Sequence, residues 1–306
     1  MAFGCVLALA LAWTAQDATN AYRYAEEFVT DCTPREAGTI RGRLAANWIL
    51  DRVSMQGADI RIDRFQAKTP KGKRQFANLV YGFCRDVKAP WTVVVSHFDS
   101  KGICPGANDG ASTTGILMAL AEKFTNVPPV GNVILAWVDG EENMISYSED
   151  DGFWGSKYLA AQIKEQGFNV RAVVCIDMLG DKDLNIMIPA NGDARLAKIA
   201  LHAARRAHLP SGLVTRIDEH VKDDHVPFLD AGFPAIDLID FDYGSARGRN
   251  DYWHTAADTM DKLSVESFHL SGRLVVEMLN ILMSTPSASA TSPAADLPRS
   301  TEGKAK

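Results

Sequence analysis

The sequence predicts an α/β three-layer sandwich, with a central, mixed and mostly parallel twisted sheet between layers of helices. Four short runs, 91–96, 132–138, 172–178 and 234–239, are mostly apolar, as strands buried on both faces are. Helical stretches at 113–124, 155–166 and 193–208 lie among them, and strand–helix alternation of that kind winds a largely parallel sheet. A chain of 306 residues that is 46% hydrophobic is long enough for one large core and needs no second domain.

Taken in order, residues 1–20 hold an apolar run, 5–13, that is too short to span a bilayer and resembles the core of a secretory signal. Small residues around Ala12 to Ala15 could serve cleavage, which leads to the expectation of a secreted or periplasmic protein. The first basic residue is Arg23, so the alternative is an N-terminal helix packed on the domain. Residues 21–53 alternate apolar and charged positions at helical spacing, with Thr33-Pro34 as the start signal of a second helix. Residues 58–65 and 75–83 tend to alternate at period two, as edge strands do. After the four buried strands and their helices, 264–283 reads as a closing amphipathic helix. One domain is therefore expected over 21–284. The segment 285–306 is rich in Ser, Thr, Ala and Pro and is expected to form a disordered tail.

Composition removes several function classes. Net charge is −6 with Lys and Arg scattered, so no basic stripe points to nucleic acid, and no run reaches the length of a membrane span. Five cysteines include no CxxC pair, which argues against a thiolate zinc site, and the odd count argues against a full disulfide framework. Loss of Cys5 with a signal would leave an even number. Cys175, inside an apolar run, reads as a small buried hydrophobe.

The chemistry is concentrated in Trp137-Val138-Asp139-Gly140-Glu141-Glu142, an apolar strand that runs into two adjacent carboxylates. Neighbouring side chains at a strand end diverge, so one carboxylate can bind a metal while the other stays free to move protons. A Glu-Glu pair alone would be an exposed acidic turn; its companions change that reading. His97 and Asp99, Glu141 and Glu142, and Asp177 all follow or close apolar strands, and that rim of an open α/β sheet is where ligands bind. Asp109 lies in Gly106-Ala107-Asn108-Asp109-Gly110-Ala111, whose small residues allow a sharp turn. His254 stands in Asp251-Tyr252-Trp253-His254-Thr255, beside aromatics that could wall a pocket. His97, Asp109, Glu142, Asp177 and His254 are thus candidate ligands of a catalytic zinc, which accepts imidazole and carboxylate donors and keeps one position open.

His97-Phe98-Asp99-Ser100, Gly106-Ala107-Asn108-Asp109, Asp139-Gly140-Glu141-Glu142, Asp177 and His254-Thr255, in that order, resemble the zinc exopeptidase superfamily of bacterial aminopeptidases and glutaminyl cyclases. The resemblance runs from about Phe28 to Met283. It implies the zinc exopeptidase-like fold, with zinc held by Asp109, Glu142 and His254. In the aminopeptidase branch it implies a second zinc on His97 and Asp177, with Asp109 bridging.

Three features lean toward the cyclase branch. The segment from Val221 to Leu229 carries two acidic residues, Asp223 and Asp224, before His225; Trp253 directly precedes His254; and the 143–154 connection is long. Glu141, Asp177 and Asp223 at a partly buried rim cannot all be ionised cheaply, so they are expected to share a proton in one hydrogen-bonded set. Asp177 would then be a poor second-metal ligand, and one zinc is expected. One of Asp223 and Asp224 is expected to cap the short helix 223–229.

By resemblance, Glu141, Asp177 and Asp223 are the catalytic residues, and Trp253, Tyr147 and Phe241 line the slot for the N-terminal glutamine of a peptide or protein. Tyr147 stands where many animal cyclases have Trp. The alternative is a two-zinc aminopeptidase acting on peptide N-termini. A non-catalytic ectodomain of this fold would have lost ligands, and none of the five is missing.

Overall fold

Eight strands hydrogen-bond into one sheet in the order β1-β2-β4-β3-β5-β8-β6-β7. In the computed structural model, which describes residues 10–148 and 150–284, they are β1 (Ile60–Thr69), β2 (Gly72–Phe83), β3 (Trp91–His97), β4 (Asn132–Val138), β5 (Val170–Asp177), β6 (Ile186–Ile188), β7 (Val214–Arg216) and β8 (Ala235–Ile239). The central pairs β4–β3, β3–β5 and β5–β8 are parallel, whereas β1–β2, β2–β4 and β6–β8 are antiparallel. This is the mixed sheet expected, parallel at its centre and again in the edge pair β6–β7.

Every residue of β3 and β4 is buried, because helices cover both faces there. One face carries Val94, Leu135, Trp137 and Val174 against α1 (Ala15–Cys32), α2 (Ile40–Met55), α3 (Thr113–Asn126), α5 (Ala194–Arg206) and α7 (Val265–Ser284). The other carries Val93, Val95, Ala136 and Cys175 against α4 (Trp154–Glu165) and α6 (His225–Asp230). Alternate side chains of a strand point to opposite faces, so a continuous apolar run is what two covered faces require. Cys175 is the buried hydrophobe expected, and no disulfide occurs among the described residues.

Four expectations need correction. The first helix begins at Ala15 rather than Ala21, because Thr14 and Asp17 close a reciprocal capping box: the Thr14 hydroxyl accepts the Asp17 N–H and Asp17 accepts the Thr14 N–H. Thr33-Pro34 does not open the second helix. Thr39 caps it instead, accepting the Gly42 N–H at 3.2 Å, and the intervening turn sends Arg35 into the interior. β6 and β7 escaped detection because three residues are too short to display a period. Part of the signal-like run is also packed on the domain: Leu11 and Trp13 are buried, and the Leu11 backbone exchanges two hydrogen bonds with the Asn280 side chain of α7. Residues 1–9, with Cys5, and the expected tail 285–306 lie outside the described residues.

Helices α1 and α3 meet through Ala21, Ala25 and Gly115. A Cβ at Gly115 would stand 2.3 Å from the Ala21 carbonyl oxygen and 3.0 Å from the Ala25 nitrogen. Gly115→Ala should therefore destabilise the fold by about 1–3 kcal/mol, since overpacked interfaces relax by backbone shifts. Urea unfolding measures it; a stability within 0.5 kcal/mol of the parent, the usual range for a surface site, would mean the helices are not in contact there.

Candidate metal centre and active-site cleft

The strand order changes direction around β3, whose neighbours β4 and β5 follow it in the chain but lie on opposite sides. That switch point opens a crevice at the carboxyl ends of the strands. His97 ends β3 and Asp177 ends β5, while Glu141 and Glu142 follow β4. Asp109 sits in the turn Ala107–Ser112, where Asp109 and Gly110 leave helical dihedrals (φ −78°, ψ 97° and φ 88°, ψ −39°). A side chain at Gly110 would meet the Asp99 carbonyl oxygen at 2.7 Å, so only glycine permits this approach. His254 has φ 58°, a strained conformation for a non-glycine residue. Its ring stacks on Trp253 with centroids 3.7 Å apart.

These loops bring ligand atoms of Asp109, Glu142 and His254 within 4.8 Å of one another, and likewise those of His97, Asp109 and Asp177. The two groups differ in their hydrogen bonds. Asp109 Oδ2, Glu142 Oε1 and His254 Nε2 are buried and have no hydrogen-bond partner, although His254 Nε2 lies 3.0 Å from Glu142 Oε1 and 3.4 Å from Asp109 Oδ2. Buried polar atoms are rarely left unpaired, and two carboxylates with an imidazole form a donor set that suits zinc. In the second group His97 Nε2 already lies 3.1 Å from both Asp109 Oδ1 and Asp177 Oδ1.

Buried charge dominates the electrostatics. Burial, then Glu142 and Asp223, push Glu141 well above the usual carboxylate range. Burial and Asp109 raise Glu142 to about 7. Burial raises Asp177 against the pull of His97, and burial with Asp237 and Asp177 raises Asp223 well above its ordinary value. Burial opposes the charge of Asp109 too, but His97, His254 and Arg35 outweigh it and hold that carboxyl low. The crowding expected of Glu141, Asp177 and Asp223 is therefore present. Their direct hydrogen-bonded set is not: Asp177 pairs with His97, Glu141 accepts from Tyr147, and Asp223 Oδ1 accepts the Asp224 N–H. Neither Asp223 nor Asp224 caps α6 with its side chain: Asp224, at the N-cap, is buried and makes no capping hydrogen bond, and Asp223 lines the cleft.

A cavity of about 270 Å3 opens beside this cluster. Asp109, Glu141, Asp177 and Asp223 share its wall with Tyr147, Phe241 and Trp253, so every residue expected in the slot lines one cleft. Trp253 and Phe241 contact each other with centroids 5.3 Å apart. The Tyr147 hydroxyl donates to Glu141 Oε2 at 3.1 Å and also lies 3.3 Å from Glu142 Oε2.

Sequence reasoning gave no role to the residues that brace these loops. Asp99 accepts the N–H groups of Gly140 and Glu141 on Oδ1 (2.9 and 3.2 Å) and of Glu142 on Oδ2 (3.1 Å). Arg35, fully buried, donates to the carbonyls of Phe98, Pro105, Gly106 and Asp109. Asp258 accepts the N–H groups of Asn108 and Asp109 and the Tyr243 hydroxyl. Asp99, two positions after His97, and Asp258, four after His254, carried a weak positional signal. Arg35 carried none.

The fold and the site together define a zinc-exopeptidase-like enzyme scaffold, and the chain belongs to peptidase family M28, whose sequence pattern matches residues 78–279. Within that superfamily it falls with the glutaminyl cyclases. The crystal structure of an Acidobacteriales bacterium glutaminyl cyclase is 30% identical with a TM-score of 0.83, covering 92% of this chain and 99% of that one. The glutaminyl-peptide cyclotransferase of Boiga irregularis is 26% identical over 286 residues, covering 78% of this chain and 72% of its own. A leucine aminopeptidase precursor from Bacteroides thetaiotaomicron shares the fold at 21% identity, with a TM-score of 0.78 and coverage of 90% and 99%.

His225, behind Asp223, has its Nε2 2.9 Å from the Asn191 side-chain amide. Burial lowers it from 6.5 to about 4. A folded value below the unfolded one favours the neutral ring, so this stabilisation is complete above 6.5 and is lost as the pH falls toward about 4. Ring NMR should show His225 neutral down to that range, with the melting temperature decreasing across the same interval. A His225 signal that titrates near 6.5 would contradict the burial.

Proposed function

We propose that the protein is a zinc-dependent glutaminyl-peptide cyclotransferase that converts the N-terminal glutamine of peptides and proteins to pyroglutamate with release of ammonia. The observation that carries the reading is the convergence of the unpaired atoms Asp109 Oδ2, Glu142 Oε1 and His254 Nε2 beside a slot walled by Trp253, Phe241 and Tyr147, with Glu141 next to them. Asp109, Glu142 and His254 would hold the ion. Bound there, zinc supplies Lewis acidity toward the side-chain amide carbonyl of the glutamine.

The remaining chemistry belongs to the chain. The α-amine nitrogen attacks the side-chain amide carbon; a new C–N bond forms and the bond to the departing nitrogen breaks. Glu141 takes the proton from the amine and passes it to that nitrogen, which leaves as ammonia, so the reaction consumes no water. A base that must then act as an acid works best with its pKa near the working pH, and the upward shift of Glu141 suits that double duty. Asp177 and Asp223, both in the cleft wall, orient the amine, and Asp223 raises Glu141 by like charge.

One ion is favoured over two because Asp109 Oδ2, Glu142 Oε1 and His254 Nε2 all lack hydrogen-bond partners, whereas His97 Nε2 is already hydrogen-bonded to Asp177. The second reading, a two-zinc aminopeptidase, draws its support from the compact His97–Asp109–Asp177 group. We assign the catalytic unit to a single domain that takes in Leu11, Trp13 and the whole of α1 as well as the expected 21–284, and read the protein as exported. Among the described residues no helix is long and apolar enough to cross a membrane.

Purified protein should contain close to one zinc per chain by atomic emission and release ammonia from a peptide with N-terminal glutamine, without cleaving Leu-anilide. Two zinc per chain with Leu-anilide turnover would reverse the assignment. Glu141→Gln should keep its zinc and lose about 100-fold or more in turnover, the usual size of a general acid–base contribution. Asp223→Ala should also lower cyclisation sharply while zinc stays near one; unchanged turnover would remove Asp223 from the mechanism.

A further inference from the structure

The two oxygens of Glu142 have different surroundings. Oε1 is the unpaired atom that faces His254 and Asp109. Oε2 lies 3.3 Å from the Tyr147 hydroxyl and 3.7 Å from Lys101 Nζ. The same hydroxyl is 3.1 Å from Glu141 Oε2. One phenol therefore stands between the carboxylate read as proton carrier and the carboxylate read as zinc ligand.

The phenol is held in place from several sides. Its ring stacks on Phe153 with centroids 5.4 Å apart, and Lys101 Nζ lies 5.6 Å from the ring centroid on its way to the Asn143 carbonyl and side chain. The loop that carries it is pinned by Asp151, which accepts the N–H groups of Met144, Ile145 and Ser146 at 2.7, 2.8 and 2.9 Å. A wall residue needs only a ring. Tyr147 adds an oxygen within reach of both glutamates, which an indole lacks.

We propose that Tyr147 is a positioning residue whose hydroxyl ties Glu141 to Glu142, reserving Oε2 of Glu142 so that only Oε1 is offered to zinc, and fixing one oxygen of Glu141 while the other serves the slot. The inference rests on the reading of Glu142 as a metal ligand and Glu141 as the proton carrier. Two adjacent buried carboxylates repel, and a donor shared between them offsets part of that cost and limits their rotation. Partners behind a metal ligand commonly set both affinity and activity.

Tyr147→Phe keeps the ring and removes only the hydroxyl; Tyr147→Trp keeps an aromatic wall and also lacks it. Both should weaken zinc binding, read by competition with a chelator of known affinity on the full chain, by roughly 10- to 100-fold. In Tyr147→Phe, kcat at saturating zinc should fall by about tenfold or more while KM stays within about twofold, the pattern of a lost transition-state contribution rather than lost substrate binding. Zinc affinity within about twofold of the parent in both variants would overturn the proposal, and so would a raised KM with unchanged kcat, which marks a plain wall. The zinc titration does not depend on the reaction catalysed. If the parent cyclises no glutamine peptide, the proposed function fails, while the titration still decides the role of Tyr147.

Discussion

Two loops and the end of β5 carry Asp109, the Glu141–Glu142 pair and Asp177 to one end of the sheet, where their carboxylates are nearly sealed from solvent. An isolated buried carboxylate costs several kcal/mol unless a cation or a shared proton compensates it. This concentration of negative charge is the constraint to which the surroundings respond. His97 lies between Asp109 and Asp177, His254 faces Glu142 and Asp109, and Lys101 approaches Glu142 from the side of the Tyr147 loop. Asp109 Oδ2, Glu142 Oε1 and His254 Nε2 remain without hydrogen-bond partners, and together they form a donor set suited to a divalent ion.

Holding such charges in fixed positions requires a rigid frame, and backbone hydrogen bonds supply it. The Asp99 carboxylate gathers the N–H groups of Gly140, Glu141 and Glu142, so the end of β3 dictates how the loop after β4 turns. Arg35 performs the complementary task with carbonyls of the 98–109 region, where a positive group that satisfies several acceptors also stabilises the negative charge of Asp109. Asp258 links the segment after His254 to the Asp109 turn. The loops that carry Asp109, Glu142 and His254 are thus joined to the frame before any metal arrives, which limits the reorganisation that binding requires. The same rigidity accounts for the strained φ of His254, since such a conformation persists only where its neighbours over-determine it.

The cleft combines opposite environments at short range. Trp253, Phe241 and the Tyr147 ring give it an apolar wall, while Glu141, Asp177 and Asp223 give it an acidic one. An N-terminal glutamine has the matching halves: a short aliphatic chain and an amine that seeks carboxylates. The aminopeptidase precursor that shares this fold shows that the scaffold alone does not choose the reaction. What distinguishes the chemistry here is which atoms are already paired. His97 Nε2 is hydrogen-bonded to Asp177, whereas Asp109 Oδ2, Glu142 Oε1 and His254 Nε2 have no hydrogen-bond partner.

The sequence by itself determined the sheet's central strands and the chemistry at their ends. Parallel strands covered on both faces must be continuously apolar, so β3, β4, β5 and β8 could be read from composition and length. Local polar signals were legible where they recur at fixed spacing, and the Thr14–Asp17 capping box was present but overlooked beside the signal-like apolar run. Only the tertiary structure decided the rest. The three-residue strands β6 and β7 have no period to detect and owe their pairing to neighbours. The pairing of Asp177 with His97 rather than Glu141, the bracing by Arg35, and the placement of the Tyr147 hydroxyl between two glutamates depend on distances between segments far apart in the chain. Residue type and spacing fix which groups are available; packing alone fixes which of them meet.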